Sequence, residues 1–369
     1  MKVCFVGPHN YPVLNTNYPT TYIGGESVQQ TLLAKALVER GHDVSMICYD
    51  YGQEDDEVID GVRVIRWIRP RGGLPGIRFI HPRLTTFLAK LKKADAEVYY
   101  QSCANVLTGF TAFFCRRKGR KFVFRVAHDA DCSPDNLLLP YWRDRKIYLY
   151  GLRRADLVLA QGERQARMLQ ENFGLPSKIM NMMVELPSEA GATKDIDVLW
   201  VNNFRRFKCP EKFIDLAKMM PDLKMTMVGG TGVATQDYFN EVAARAEGVG
   251  NIELTGLVPY SKVNAYFERA RVFVNTSDSE GFPNSFLQAW IRGVPVISFF
   301  DPDGLIAKHD LGAVPSSLED MAVQVRTLLE RPDLPELSER VRAFAMERYS
   351  PAAVAALYEQ HLCDWEGER

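Results

Sequence analysis

Short apolar runs alternate with stretches of helical periodicity along almost the whole chain. The first series of runs is Val3–Gly7, Val44–Tyr49, Val62–Ile68, Val98–Gln101, Lys121–Val126 and Leu157–Ala160. The second is Val198–Val201, Lys224–Val228, Ile252–Thr255, Val272–Thr276 and Val294–Phe299. Runs of this length, separated by helix-length patterns, predict parallel strands joined by crossover helices. Between the series, Phe173–Ala192 holds Gly174, Pro176, Pro187 and Gly191 with few periodic apolar positions, so it reads as a linker. The pattern therefore predicts two α/β domains, 1–180 and 190–349. The tail 350–369 opens with Ser350 as a cap and Pro351 at the first helical position, and reads as one more helix.

Candidate chemistry sits where runs end and helices begin. After the first run, a loop over Pro8–Ile23 leads to Gly24-Gly25-Glu26, which opens a helix with Val28, Leu32, Leu33, Ala36 and Leu37 on one face and Gly41 at its end. Adjacent glycines at a helix start let the backbone approach a phosphate with no Cβ in the way, although a Gly pair before a helix is also a common turn. His128 follows the run ending at Val126, at the strand end where α/β sheets bind ligands. The neighbouring Asp129-Ala130-Asp131 has the form of a metal-binding pair, but so short a motif arises readily by chance, and no metal is expected.

The second series carries more. Glu280-Gly281-Phe282-Pro283 follows the strand Val272–Asn275 and precedes Phe286, Leu287, Ala289, Trp290 and Ile291 in helical spacing. Asn284 or Ser285 is placed to cap that helix, so a carboxylate lies beside a helix start that attracts anions. Such a pair suits a ligand bearing both hydroxyls and phosphate, which describes a sugar nucleotide. Val228-Gly229-Gly230-Thr231-Gly232 nearly forms a dinucleotide fingerprint, but Thr235 stands where the third glycine belongs and no acid follows at about twenty residues. A nicotinamide oxidoreductase is thus the weaker enzyme alternative.

The run Glu280, Gly281, Phe282, Leu287, Ala289, Gly293, Pro295 and Val296 resembles the signature of the retaining glycosyltransferases of family 4. The resemblance extends over nearly the whole chain, including Gly24-Gly25 and Arg40–Val44. It implies the GT-B fold, two Rossmann-like domains with parallel sheets facing a central cleft, with the tail helix packed back on the N-terminal, acceptor-binding domain. It implies that Glu280 orients the donor sugar, with Gly281, Phe282, Pro283, Asn284 and Ser285 around it, and that His128 lies near that sugar. The departing diphosphate falls to Lys208, and Arg205 could reach the same phosphates. The family's Gly-Arg positions hold Asn202 and Asn203 here, so only Lys208 carries over directly. Gly24 and Gly25 lie near the diphosphate, and Gly229 lines or shapes the donor site. Where the family has a second Glu for the ribose, this chain has Gln288. Losing the charge lowers that bond from about 1.5–3 to about 0.5–1.5 kcal/mol, roughly tenfold in donor binding. These two departures motivate a non-catalytic alternative, a sugar-nucleotide-binding or scaffolding subunit.

Composition and charge narrow the rest. At 369 residues and 46% hydrophobic content the chain can bury two ordinary cores. A formal net charge of −1 carries no nucleic-acid signature. The seven cysteines, Cys4, Cys48, Cys103, Cys115, Cys132, Cys209 and Cys363, are scattered and odd in number, as expected of reduced thiols in the cytoplasm. The chain opens with a strand pattern at Lys2–Gly7, so no signal peptide is expected, and no apolar run is long enough to span a bilayer. Charge is uneven, however: between Gly61 and Arg125 fifteen Lys and Arg stand against Asp95 and Glu97. Within that segment, Arg83–Lys93 places Leu84, Phe87, Leu88 and Leu91 on one helical face. Two readings stay open for it, a basic helix lying on an anionic leaflet at the inner face of the membrane and an ordinary helix packed on the sheet. The first would favour a lipid-linked acceptor; either is compatible with a glycan.

Overall fold

The computed structural model describes residues 1–18, 24–70, 72, 79–187, 192–230, 236–278 and 282–364, without the side chains of 260, 261, 363 and 364. Two compact units emerge. The first is carried by the described residues of Met1–Pro19, Gly24–Met182 and Val354–Arg369, and the second by Met183–Ala353.

The first unit is built on an eight-stranded sheet. Its strands are β1 (Lys2–Val6), β2 (Asp43–Cys48), β3 (Glu57–Ile59), β4 (Val62–Arg66), β5 (Val98–Ser102), β6 (Lys121–Arg125), β7 (Leu157–Ala160) and β8 (Lys178–Ile179), in the order β3-β4-β2-β1-β5-β6-β7-β8. All neighbours are parallel except β3 and β4. The strands β1, β2 and β5 are buried on both faces, which is why they read as continuous apolar runs instead of alternating ones. The second unit holds β9 (Ile196–Val201), β10 (Met225–Val228), β11 (Ile252–Gly256), β12 (Ala270–Asn275), β13 (Val296–Ser298) and β14 (Gly312–Ala313) in the all-parallel order β11-β10-β9-β12-β13-β14. In each sheet the strand order reverses direction beside its first strand, between β1 and β5 and between β9 and β12. Such switch points are where open α/β sheets leave room for ligands.

Two sequence expectations change on contact with the structure. The segment Phe173–Ala192 is only partly linker: Met180, Met182, Met183 and Val184 are buried, and Lys178–Ile179 adds a strand to β7. Four apolar residues without helical or alternating spacing leave little trace in a pattern search. The basic helix runs Thr85–Ala94, and its apolar stripe faces inward: Phe87 and Leu91 are fully buried, with Leu84 and Leu88 packed against the same core. On its flank, Lys90 and Lys93 reach Asp55 at 2.8 and 2.9 Å, and Lys93 reaches Asp56 at 2.6 Å. The stripe that could have lain on a leaflet is therefore occupied by the core, and part of the positive charge is matched locally. No helix among the described residues is long and apolar enough to cross a membrane.

The helices Val106–Lys118 and Trp142–Leu152 approach until backbones touch. A Cβ on Gly109 would stand 2.3 Å from the carbonyl oxygen of Ile147, and one on Gly151 would stand 2.5 Å from that of Thr108. These two glycines set how closely the helix between β5 and β6 packs on the helix between β6 and β7. Gly151→Ala is expected to force the helices apart at a cost of about 1–3 kcal/mol, read as a melting point lowered by several degrees. Gly250→Ala, where a Cβ meets nothing within 4 Å, is the matched control and should leave it unchanged.

Candidate functional site

In the first unit the site is the strand-end edge around the β1/β5 switch point. The helix Gly25–Glu39 begins there with Gly24 as N-cap in an extended conformation, and no side chain among the described residues caps it, the arrangement in which helix N–H groups can meet an anion. A Cβ on Gly24 would meet no described atom within 4 Å, and φ is −82°, so neither crowding nor dihedral angle demands glycine here. Below this start lies a buried polar chain. Asn10 Nδ2 donates to Gln30 Oε1 at 3.0 Å, Gln30 Nε2 donates to Ser102 Oγ at 2.7 Å and to Glu26 Oε1, and Ser102 Oγ donates to the same Glu26 oxygen. Asn10 and Gln30 are completely buried and Ser102 nearly so, whereas Glu26 is only half-buried. Burial pushes the Glu26 carboxyl up to about 7, against the opposing pull of the Ser102 hydroxyl and the Arg125 guanidinium, with Asp131 adding to the rise.

His128 is exposed and caps the short turn Asp129–Cys132: its Nδ1 accepts from Ala130 N at 3.0 Å. In the neutral imidazole this leaves the proton on Nε2, a donor facing outward. The two aspartates beside it are separated by their tasks. Asp131 Oδ2 is buried and accepts from the backbone N–H of Ala127 and His128 at 2.9 and 3.2 Å, while Asp129 pairs with Arg164 at 3.2 Å and Gln165 at 3.1 Å. Among the described residues no group of three or more His, Cys, Asp and Glu could hold a metal ion.

In the second unit the β9/β12 switch point is closed by one hydroxyl. Thr276 Oγ1 accepts from Trp200 Nε1 at 2.9 Å and lies 2.9 Å from the carbonyl oxygens of both Lys208 and Cys209. Asp278 continues the tie: its N–H donates to Phe207 O at 2.9 Å, and its carboxylate accepts from Cys209 Sγ at 3.0 Å and from Lys212 Nζ at 2.6 Å. The loop carrying Arg205 and Lys208 is thus pinned to the loop that leads toward Glu280. Glu280 and Gly281 themselves lie outside the described residues. Arg205 and Arg206 are exposed and Lys208 is half-buried, with its ammonium 5.0 Å from the Phe207 ring centre.

Beyond that loop the structure corrects one expectation, the helix cap, and gives Phe282 and Gln288 partners within the fold. The helix starts at Asn284 itself, so the cap position falls on Pro283, which has no side-chain acceptor; neither Asn284 nor Ser285 caps it. Pro283 supplies the turn through its fixed φ of −71°. The Phe282 ring packs on Trp290 and Tyr349, at 6.3 and 5.9 Å between centroids. Gln288 is 8% exposed, and its Nε2 donates to Asn264 Oδ1 at 3.0 Å; Asn264 Nδ2 in turn donates to Glu185 Oε2 at 2.8 Å. Gly229 has a packing reason of its own, since a Cβ would stand 2.0 Å from the carbonyl oxygen of Asn202. Sequence reasoning passed over Asn10, Gln30, Ser102, Thr276 and Asn264. The one available signal was Gln29-Gln30-Thr31, polar residues on the inward side of an otherwise apolar helix.

Comparison with known proteins adds the family. Residues 24–180 match a family described as a glycosyl transferase 4-like domain, and residues 198–331 match glycosyl transferases group 1. An alpha-monoglucosyldiacylglycerol synthase of Streptococcus pneumoniae is 28% identical over 145 residues, 37% of this chain and 32% of that protein. The GtfA subunit of a UDP-N-acetylglucosamine–peptide N-acetylglucosaminyltransferase from the same species is 22% identical over 213 residues, 53% of this chain and 41% of that protein. The matched regions thus span well under half the length of these relatives. Among solved structures, a sucrose-phosphate synthase from Thermosynechococcus elongatus superposes with a TM-score of 0.79 at 17% identity, covering 100% of this chain and 99% of that one. Anabaena HepE, solved in complex with UDP, gives 0.74 at 14% identity, covering 99% and 100%. These likenesses identify the fold as GT-B, made of two Rossmann-like domains.

Two outcomes follow from the geometry. The Glu26 carboxyl is held above its ordinary 4.5, so the folded state retains a proton that the unfolded state has lost, and stability declines as pH rises toward 7. Glu26→Gln removes that loss; its melting point should match wild type near pH 4.5, exceed it by a growing margin between pH 4.5 and 7, and keep a constant margin above that. Gln288→Glu turns an acid–amide–amide chain into an acid–amide–acid one, in which Asn264 can no longer offer each neighbour the group it needs. The melting point should fall by a few degrees and turnover should change by less than about tenfold. A larger gain in turnover at unchanged stability would contradict the chain's importance.

Proposed function

The chain belongs to the group 1 glycosyltransferases, with a glycosyl transferase 4-like domain ahead of its group 1 domain, and from that premise we propose that it is a retaining hexosyltransferase. It moves a sugar from a nucleotide-sugar donor to a glycan or lipid-linked acceptor during assembly of a cell-surface polysaccharide or glycoconjugate. Both family matches, in order within one chain, support the transferase class. The structural observation that carries the reading is Gly24. A glycine at the N-cap of a helix on the switch-point edge, with no described atom within 4 Å of where its Cβ would stand, suits the close approach of a substrate phosphate.

In this reading Lys208 and Arg205 meet the departing diphosphate, and Arg205 offers a planar fork suited to phosphate oxygens. Glu280 orients donor hydroxyls, the Gln288 carbonyl oxygen meets the ribose, and His128 Nε2–H faces the donor sugar. The acceptor oxygen bonds to the anomeric carbon on the face from which the phosphate oxygen leaves, and the acceptor proton passes to that phosphate. Positioned cations serve such a step better than a strong base, and it needs no metal. The exposed Arg116, Arg117 and Lys118 support contact with an anionic surface at the cytoplasmic face of a membrane. A specific observation favours the scaffolding alternative as second reading: the Gln288 amide, at the ribose position, is already engaged by Asn264.

The test is a thermal-shift panel of UDP-, GDP-, ADP- and TDP-sugars, followed by turnover with the donor it selects. One nucleotide family should add about 2.7 kcal/mol at a hundred times its Kd. Gly24→Ala should cost little of its own stability, about 1 kcal/mol or less at an N-cap where glycine is preferred to alanine, since its Cβ meets no described atom within 4 Å, yet lose most of that shift. Absence of any shift defeats the reading, and binding without turnover selects the scaffold.

A further inference from the structure

The strand-end surface of the first unit carries a belt of aromatic rings that the reading above leaves without a task. Tyr11 and Tyr51 stack with centroids 5.8 Å apart and planes 18° from parallel, and Tyr18 stands edge-on to both at 5.6 and 5.3 Å. Beside them Tyr49 stacks on Trp67 at 5.3 Å and 10°, and His9 is edge-on to Tyr49 at 5.0 Å. Tyr11 and Trp67 are buried and form a floor; Tyr18, Tyr49 and Tyr51 are half-buried and His9 is exposed. The parallel sheet explains the gathering. His9 follows β1, Tyr49 and Tyr51 follow β2, and Trp67 follows β4, so all emerge at one edge.

Polar groups interleave with the rings. Tyr51 OH lies 3.3 Å from His9 Nδ1, Tyr11 OH donates to Glu57 Oε2 at 3.1 Å and accepts from Asn15 Nδ2 at 3.0 Å, and Asp50 lies 3.6 Å from Arg69. The belt also joins the site already described: Asn10, between His9 and Tyr11, begins the buried chain through Gln30 to Ser102 and Glu26. Its own Oδ1 is buried and lacks a donor among the described residues.

This mixture selects among ligands. An acyl chain or a protein interface core would match an apolar surface, and the hydroxyls, carboxylates and imidazole here would be stranded by it. A pyranose ring presents the complementary pattern, a face of electropositive C–H groups and a rim of hydroxyls that both donate and accept. The C–H face suits the electron-rich face of tyrosine, and the rim finds His9, Tyr51 OH and Asp50.

We propose that the belt formed by His9, Tyr18, Tyr49 and Tyr51 is a carbohydrate subsite that holds a pyranose of the acceptor, making the acceptor a glycan in place of a bare lipid hydroxyl. The assignment to the acceptor rests on the glycosyltransferase reading; the sugar-binding chemistry does not.

The experiment is saturation-transfer NMR on the full chain, with and without UDP, using methyl glycosides of glucose, galactose, mannose and N-acetylglucosamine together with maltose and cellobiose at millimolar concentration. At least one should receive saturation through its ring C–H protons. Tyr18→Ala and Tyr51→Ala should weaken that binding about tenfold or more, and Tyr51→Phe, which keeps the ring face, should weaken it less. Thermal shifts by the nucleotide-sugar panel, measured on the same proteins, should be unaffected. Glycosides that fail to bind wild type, or bind the alanine variants equally well, overturn the subsite whether or not donors bind. Glycoside binding that depends on these tyrosines, without any donor shift, leaves the sugar subsite standing and removes the transferase reading.

Discussion

A single hydroxyl at the end of the second central strand ties together the loops of the candidate surface in each unit. At a switch point two neighbouring parallel strands send their chains in opposite directions, so the loops part and their backbone groups lose sheet partners. Ser102, the last residue of β5, answers this in the first unit by accepting from Gln30 and donating to Glu26. Thr276, the residue after β12, answers it in the second by accepting from Trp200 and lying against the carbonyls of Lys208 and Cys209. A hydroxyl is suited to the position because it donates and accepts at once from a side chain short enough to stay beneath the surface. The charged groups above it, Glu26 in one unit and Lys208 in the other, inherit their placement from that bond.

What could be read from the sequence follows from burial. The strands β1, β2, β5, β9, β10 and β12 are apolar because they are buried on both faces of their sheets, and that leaves a strong local signal. Strands β3, β8 and β14 comprise two or three residues, too few for any period to register. Candidate site residues divide in the same way. Gly24 and His128 stand where a helix begins or a strand ends, so position together with the family resemblance marked them, and Lys208 came from the resemblance alone. Gln30, Ser102, Thr276 and Asn264 are ordinary polar residues whose importance arises mainly from partners 20 to 79 positions away. Charge patterning left two readings open in one place: the face of Thr85–Ala94 has the form of a leaflet-binding helix, and the same apolar spacing serves a helix on a sheet. Only the location of the sheet distinguishes the two.

The position of Gln288 shows how one residue's meaning depends on its neighbours. Considered alone, an amide in place of a carboxylate is a weakened ligand contact. Considered with Asn264 and Glu185, it is the end of a chain whose polarity is set from the other end: Glu185 accepts, Asn264 must present its amide nitrogen, and Asn264 Oδ1 is then left requiring a donor. A glutamate at 288 would bring an acceptor to an acceptor in a position only 8% exposed, where water offers little relief. The amide is what this unit's core requires, and any contact with a ribose must be made by the oxygen that remains. Loss of the charge is therefore compensated inside the fold, and the substitution is coupled to Asn264 and Glu185 instead of being an isolated defect of the site.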